Sequence, residues 1–285
     1  MIEKRPTCRR ALNLLLVTTA LAGPGLAPAA DFDLWLETSQ DDAGIDTTYA
    51  ELGITLDNGV RLDIGGGRTD YNDGGASVSP TSSAFGISAP LDQTFVPALR
   101  LDSWKAEGVM ETSTLRLDLG YNLENWTLRA SPLLKDITLR VNPPMGTPFD
   151  AETQARGFEA SATWYGWDDW SLGLRAGAYS YDRDLSRLNT RVAARIFSEQ
   201  ALTSSSTLPE RWHGISLSRY TSWGALGLNY DVSTSAVTLS DAKTPSLNIT
   251  LNLSDEVGLY GEVGETRLSD GSTIAYSRLA LTVSW

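Results

Sequence analysis

The chain is short of the residues on which many chemistries depend. It has one cysteine, Cys8, and one histidine, His213, in 285 residues. A single thiol excludes a disulfide framework and a thiolate metal cluster. A single imidazole excludes a multi-histidine metal site. Beyond residue 30 no apolar run approaches the roughly 18–20 residues that a spanning helix needs. Basic residues are also in deficit, 23 against 35 acidic, for a net charge of −12. That balance argues against the basic face a nucleic-acid binder needs for phosphate, so no nucleic-acid partner is expected. Phe is the scarce aromatic, with six beside nine Trp and ten Tyr. A surplus of rings carrying a polar atom is the first positive feature to explain.

Residues 1–29 read as a cleaved secretory signal peptide. Lys4, Arg5, Arg9 and Arg10 form a basic start, Ala11 to Ala22 an apolar stretch too short to anchor, and Ala27-Pro28-Ala29 a small-residue cleavage site. Cys8 lies before the apolar stretch and would leave with it. So would four basic residues and one acid, Glu3, which makes the mature chain, expected over 30–285, more acidic still.

The remainder repeats a pattern of period two. Leu115, Leu117, Leu119 and Tyr121 alternate with Arg116, Asp118 and Gly120. Phe158, Ala160, Ala162 and Trp164 alternate with Glu159, Ser161 and Thr163, and Leu279, Leu281, Val283 and Trp285 with Arg278, Ala280, Thr282 and Ser284. Such alternation predicts strands with one apolar and one polar face. Short polar turns follow some strands, as at 57–59, 122–125, 166–169, 222–224 and 254–256. Longer segments rich in Ser, Gly, Pro, Thr and Asp follow others, at 70–94, 142–153, 199–210 and 234–245. The strands expected are 31–38, 45–56, 60–69, 111–121, 126–141, 154–165, 170–182, 211–221, 224–233, 246–253, 257–266 and 274–285. Twelve strands put both termini and every short turn on one side, and every long loop on the other. Segments 95–106 and 184–201 fit strand periodicity as well as a loop or helix, and counting both gives fourteen, which preserves the same sidedness.

The signal peptide, the alternating strands of about ten residues, the contrast of short turns with long loops, and a last strand ending on an aromatic, Ala275 to Trp285, together resemble a Gram-negative outer-membrane β-barrel of the porin-like class. No narrower family is recognised, and Trp285 departs from the Phe that usually ends such chains. The resemblance implies an all-β, antiparallel up-and-down transmembrane barrel of about twelve strands, with fourteen as the other count, having short periplasmic turns and long extracellular loops. It implies residence in the outer membrane, contact with its lipid and lipopolysaccharide, and delivery by the barrel-assembly machinery through the C-terminal strand. Only helices and closed barrels satisfy the backbone inside a bilayer, and no helix is available. Aromatic girdles mark barrel interfaces. Tyr121, Trp126, Trp164, Trp170, Trp223 and Trp285, at strand ends beside short turns, are the girdle residues expected.

With the apolar parity facing lipid, the other parity lines a lumen. The lining residues expected are Arg61, Asp63, Arg116, Asp118, Arg129, Glu159, Arg175, Tyr179, Asp231, Glu262 and Arg278. The charges balance, so the lumen reads either as a narrow channel for small polar or anionic solutes, with Arg and carboxylates on opposite walls, or as a plugged, salt-bridged fill in a structural surface barrel. Arg183, Arg187, Arg191 and Arg195 form an arginine stripe in a loop, suited to anions at a pore mouth or to lipopolysaccharide phosphates, or else a solvated face.

A lipid hydrolase is the remaining reading. Its base could only be His213, but the same-face positions Arg211 and Ile215 offer no nucleophile, and Ser216 falls on the other face. The His-x-Ser pattern of outer-membrane phospholipases is missing. No catalytic residue, metal or cofactor is expected.

Overall fold

The computed structural model describes residues 30–71, 79–90, 94–141, 147, 149–186 and 208–285. Fourteen strands follow in order: β1 (Ala30–Asp41), β2 (Ile45–Leu56), β3 (Arg61–Tyr71), β4 (Thr81–Ser88), β5 (Phe95–Ala106), β6 (Met110–Leu123), β7 (Trp126–Val141), β8 (Phe149–Trp167), β9 (Trp170–Tyr181), β10 (Pro209–Thr221), β11 (Gly224–Ser235), β12 (Asp241–Asn252), β13 (Val257–Leu268) and β14 (Thr273–Ser284). Each pairs antiparallel with the next, and β1 closes on β14 with Asp33 opposite Ser284 and Asp41 opposite Tyr276. The amide of Phe32 donates to the Trp285 carbonyl and the amide of Trp285 to the Phe32 carbonyl, each at 2.9 Å. The seam is thus hydrogen-bonded to the last residue and no sheet edge is left open.

Fourteen strands replace the twelve expected first, and the added pair is not the one sequence periodicity suggested. β5 is the ambiguous 95–106. Its partner β4 lies inside 70–94, read as loop because Ser, Gly and Pro dominate it. Phe85 and Ile87 nevertheless alternate with Ala84, Gly86 and Ser88. Pairing supplies what propensity does not: β4 bonds to β3 on one side and β5 on the other. The other ambiguous segment, 184–201, lies outside the described residues from 187 onward, as does the proposed signal peptide.

The end bearing both termini, here the terminal end, carries the connections 57–60, 89–94, 124–125, 168–169, 222–223 and 253–256. The strands joined through the longest connections, 72–80, 142–148 and 182–208, meet them at the opposite, far end. The far end also has tight links at 42–44, 107–109 and 269–272, so its loops are not uniformly long. Gly59 shows the local demand of a tight link. Its φ of 79° is left-handed and its amide closes the turn on the Leu56 carbonyl at 2.8 Å, a conformation that disfavours a Cβ.

Fourteen strands about 4.8 Å apart and tilted by about 40° give a backbone diameter of about 28 Å. A barrel this wide is not filled by short side chains alone. The buried apolar core is not spread along its axis. It sits at the far end, where Ala106, Val109 and Met110 around the β5–β6 link, Ile137 and Leu139 of β7, Leu185 and Leu208 beside the β9–β10 connection, and Ala236 and Val237 of the β11–β12 link pack together. Trp104, Ala151 and Tyr181 border the cluster. These elements come from both halves of the wall, so the cluster reaches across the mouth.

Candidate functional site in the barrel lumen

Register fixes which parity faces in. Asp63 stands opposite Gly53 and Gly86, Arg100 opposite Gly86 and Arg116, and Arg116 opposite Leu133. Side chains paired this way share a face. The opposite parity carries the exposed large apolar residues Ile64, Phe85, Leu99, Leu101, Leu115, Leu117, Leu128, Leu134, Leu174, Ile215, Leu228, Leu247, Val263 and Leu279. Such a continuous apolar belt is an outer face made for hydrocarbon.

The inward parity holds Arg61, Asp63, Arg116, Asp118, Arg129, Glu159, Arg175, Tyr179, Asp231, Glu262 and Arg278. Most are drawn into ion pairs. Arg61 reaches Asp33 at 2.5 Å and Asp63 at 2.8 Å. Arg116 lies 3.4 Å from Asp118, 3.5 Å from Glu159 and 4.0 Å from Asp102. Arg175 grips Asp231 through two nitrogens, at 2.6 and 3.0 Å. Arg278 lies 3.2 Å from Glu37 and 3.5 Å from Glu262.

Sequence reasoning missed Asp33, Glu37, Glu51, Arg100, Asp102 and Lys135. Arg100 donates from Nε to Asp102 at 2.8 Å and from Nη2 to Glu51 at 2.9 Å. The alternation of Ala98, Arg100, Asp102 and Trp104 against Leu99, Leu101 and Ser103 would have found two of these, once 95–106 was taken as a strand.

Tyrosines complete the wall. Tyr49 donates to Glu51 at 2.5 Å, Tyr260 and Tyr276 to Glu262 at 2.8 and 3.0 Å, and Tyr179 to Glu159. Trp35 donates to Glu37 at 3.1 Å and lies 6.0 Å from the Tyr260 ring. Rings with a polar atom therefore serve the lumen as well as the outer rim. The carboxylates keep a donor on one side and a guanidinium on the other, which is how charges are held away from bulk water.

The geometry of the network differs from the expected one. Arg and carboxylates do not face each other across the lumen. Arg61 pairs from β3 to β1, Arg100 from β5 to β2, Arg116 from β6 to β8, and Arg175 from β9 to β11. Among the described residues no inward ion pair reaches beyond the third strand along the wall. The network lies flat along the wall and leaves the space between walls uncrossed. Two inward cations have no carboxylate within 4 Å among the described residues, Arg129 and Lys135. Arg129 borders a recess of about 400 Å³ that is also lined by Arg61, Arg100, Glu51, Asp63 and Asp118. Lys135 sits over the Tyr179 ring, 5.8 Å from its centroid.

Of the expected girdle, Tyr121, Trp126, Trp164, Trp170, Trp223 and Trp285 all lie at the terminal end. Trp126 and Trp164 are 6.4 Å apart, Trp164 and Trp167 4.8 Å, and Trp285 stacks on Phe32 at 5.8 Å. Arg219 caps Trp170 at 5.7 Å. Phe85, Phe158 and Tyr230 are outward rings set apart from this band. Of the arginine stripe, Arg183 follows β9 at the far end, while Arg187, Arg191 and Arg195 lie outside the described residues. His213 faces outward, opposite Ala176 and Val232, with Ser216 on the inward side. Among the described residues no cluster of three or more His, Cys, Asp or Glu is placed to hold a metal ion.

No family model matches this sequence, and no curated protein does either. Among solved structures, the CymD monoaromatic hydrocarbon channel aligns with a TM-score of 0.51 over 91% of this chain and 88% of its own, at 8% identity. The chain has a porin fold. The NanC porin aligns at 0.48 with 8% identity, over 88% of this chain and 98% of its own. The KdgM porin, solved in complex with disordered oligogalacturonate, aligns at 0.46 with 9% identity, over 89% and 99%. Identities this low make the porin fold a likeness of wall and topology. The lumen of this chain has to be read from its own residues.

Proposed function

We propose that this porin-fold chain is a narrow channel of the Gram-negative outer membrane for small polar or anionic solutes. The observation that carries the reading is the lateral ion-pair network. Because each Arg finds its carboxylates along its own stretch of wall, the lumen is lined with charge without being bridged by it. The named lining holds nine carboxylates against seven cations, so an anion is held locally rather than by the net charge, at the two cations with no carboxylate partner among the described residues, Arg129 toward the terminal end and Lys135 higher on the same strand. The plugged structural barrel draws on one observation, the apolar cluster across the far mouth, which narrows the path at that end.

Planar bilayers test the reading. Folded protein should conduct, and Arg129→Gln should lower the anion-to-cation permeability ratio roughly twofold by removing an unpaired charge from the wall. Silent bilayers from folded protein would leave the structural barrel as the better account.

The same reading places the outer apolar belt in contact with lipid and, at the far end, with lipopolysaccharide. Residues 1–29 act as the export signal, and the assembly machinery engages β14. Trp285→Ala, which removes the ring stacked on Phe32 at the closing seam, should lower the yield of heat-modifiable, membrane-inserted barrel several-fold while leaving export to the periplasm unchanged. Equal insertion of the variant would remove Trp285 from that role.

A further inference from the structure

Lys135 lies where two environments meet. Toward the far end on the inward face of β7 come Ile137 and Leu139, buried in the apolar cluster. Toward the terminal end come Leu133 and then Ser131, which donates to Asp118 in the charged belt. Across the sheet, Lys135 pairs with Thr114 on β6 and Ala155 on β8, and Ala155 with Tyr181 on β9. Trp104 stands two strands away on the other side, one row nearer the far end, opposite Thr112, which is opposite Ile137.

The nearby carboxylates are already engaged. Asp102 serves Arg100 and Arg116, and Glu159 serves Arg116 and Tyr179. Among the described residues the ammonium of Lys135 is left with the Tyr179 ring face at 5.8 Å and no counter-ion within 4 Å. The Tyr181 ring stands two strands away in the same row, with its hydroxyl donating to the Pro209 carbonyl at 2.7 Å.

Building on the channel reading above, we infer that Lys135, Tyr181 and Trp104 form a lumen subsite for an amphipathic carboxylate, a compact acid with one anionic end and an apolar or aromatic body. The carboxylate takes the place of the missing counter-ion at Nζ. The body lies against the half-buried rings that border the apolar cluster, where burial away from water is favourable. A polyhydroxylated acid of the same charge gains the ammonium but loses at the rings, because its hydroxyls meet apolar surface there and give up water without replacement. A neutral molecule of the same shape gains the rings and forgoes the ammonium.

Blockade of ionic current through single channels in planar bilayers at pH 7 separates these cases. The probes are phenylacetate, gluconate and phenylacetamide. Phenylacetate should block at the lowest concentration. Lys135→Met should weaken its block about tenfold and bring it level with phenylacetamide, as expected for loss of one charge-assisted contact in a partly dry site. Lys135→Arg should retain the block. Trp104→Ala should weaken phenylacetate without changing gluconate. Heat-modifiable migration on gels verifies that each variant is folded, and Lys135→Gln stands in for Met if Met fails that check. Conducting channels in which gluconate blocks as well as phenylacetate, or in which Lys135→Met leaves phenylacetate block unchanged, overturn the subsite but not the channel. Folded protein that carries no current overturns the channel and the subsite with it.

Discussion

Val237→Asp is expected to raise single-channel conductance several-fold while leaving the barrel folded. Val237 is 2% exposed, in the five-residue link between β11 and β12, and its side chain helps to hold the apolar cluster together at the far mouth. A carboxylate there would have to be buried among Ala236, Leu208, Leu185 and Met110. That costs several kcal/mol unless the link moves into water, the cheaper outcome for a surface connection. The strand ladder does not depend on this residue, because β11 and β12 are bonded to each other from Gly224 opposite Leu251 up to Thr234 opposite Asp241. The link should therefore swing out with the pore opened and the barrel's melting temperature little changed. Val237→Ile, which keeps the packing, should conduct like the parent. Unchanged conductance in Val237→Asp would show that the cluster does not limit the path.

The second large effect is expected at Arg100. Its guanidinium holds Asp102 at 2.8 Å and Glu51 at 2.9 Å and lies 3.4 Å from the Tyr49 hydroxyl. Arg100→Met keeps the stem and removes the charge, so Glu51 is left with only the Tyr49 hydroxyl and Asp102 with only Arg116 at 4.0 Å. The selectivity of the channel should shift strongly toward cations, as read from the reversal potential in a salt gradient. The cost in stability should be only of order 1 kcal/mol, since these groups border a wet lumen and water replaces part of what is lost. Arg100→Lys should fall between, because an ammonium cannot fork to both acids. A reversal potential unmoved by Arg100→Met would mean that ions do not pass this stretch of wall.

How much of this was legible in the sequence follows from which signals are local. Strict alternation in β3, β6 and β14 placed Arg61, Arg116 and Arg278 on the polar parity before any pairing was known. β4 was not legible, because Thr81 to Ser88 has only Phe85 and Ile87 to mark a face, and its strand character comes from two neighbours distant in sequence. With β4 unread, Arg100 and Asp102 had no assigned face. The apolar cluster was hidden for a different reason. Its members are scattered singly through links and strand ends, and on β7 both parities are apolar, Leu128 and Leu134 outward beside Leu133, Ile137 and Leu139 inward. Only three-dimensional closure brings Val237 to Ile137. The side-by-side pairing of charges was likewise beyond a reading of parity, which tells which face a residue takes but not which partner.

The aromatic band at the terminal end has a mechanical consequence. In a bilayer, Trp and Tyr rings hold one rim at the headgroup level. With the band of the described residues gathered at one rim, a barrel inserted in a bilayer would be moored there and its opposite rim would ride more freely. A thicker or thinner membrane would then be accommodated almost wholly at the far end, by raising or lowering the far ends of the strands, such as those of β5, β9 and β11, relative to the lipid surface. Membrane thickness would set how far the mouth stands clear of its surroundings, while the moored rim stays level with its own leaflet.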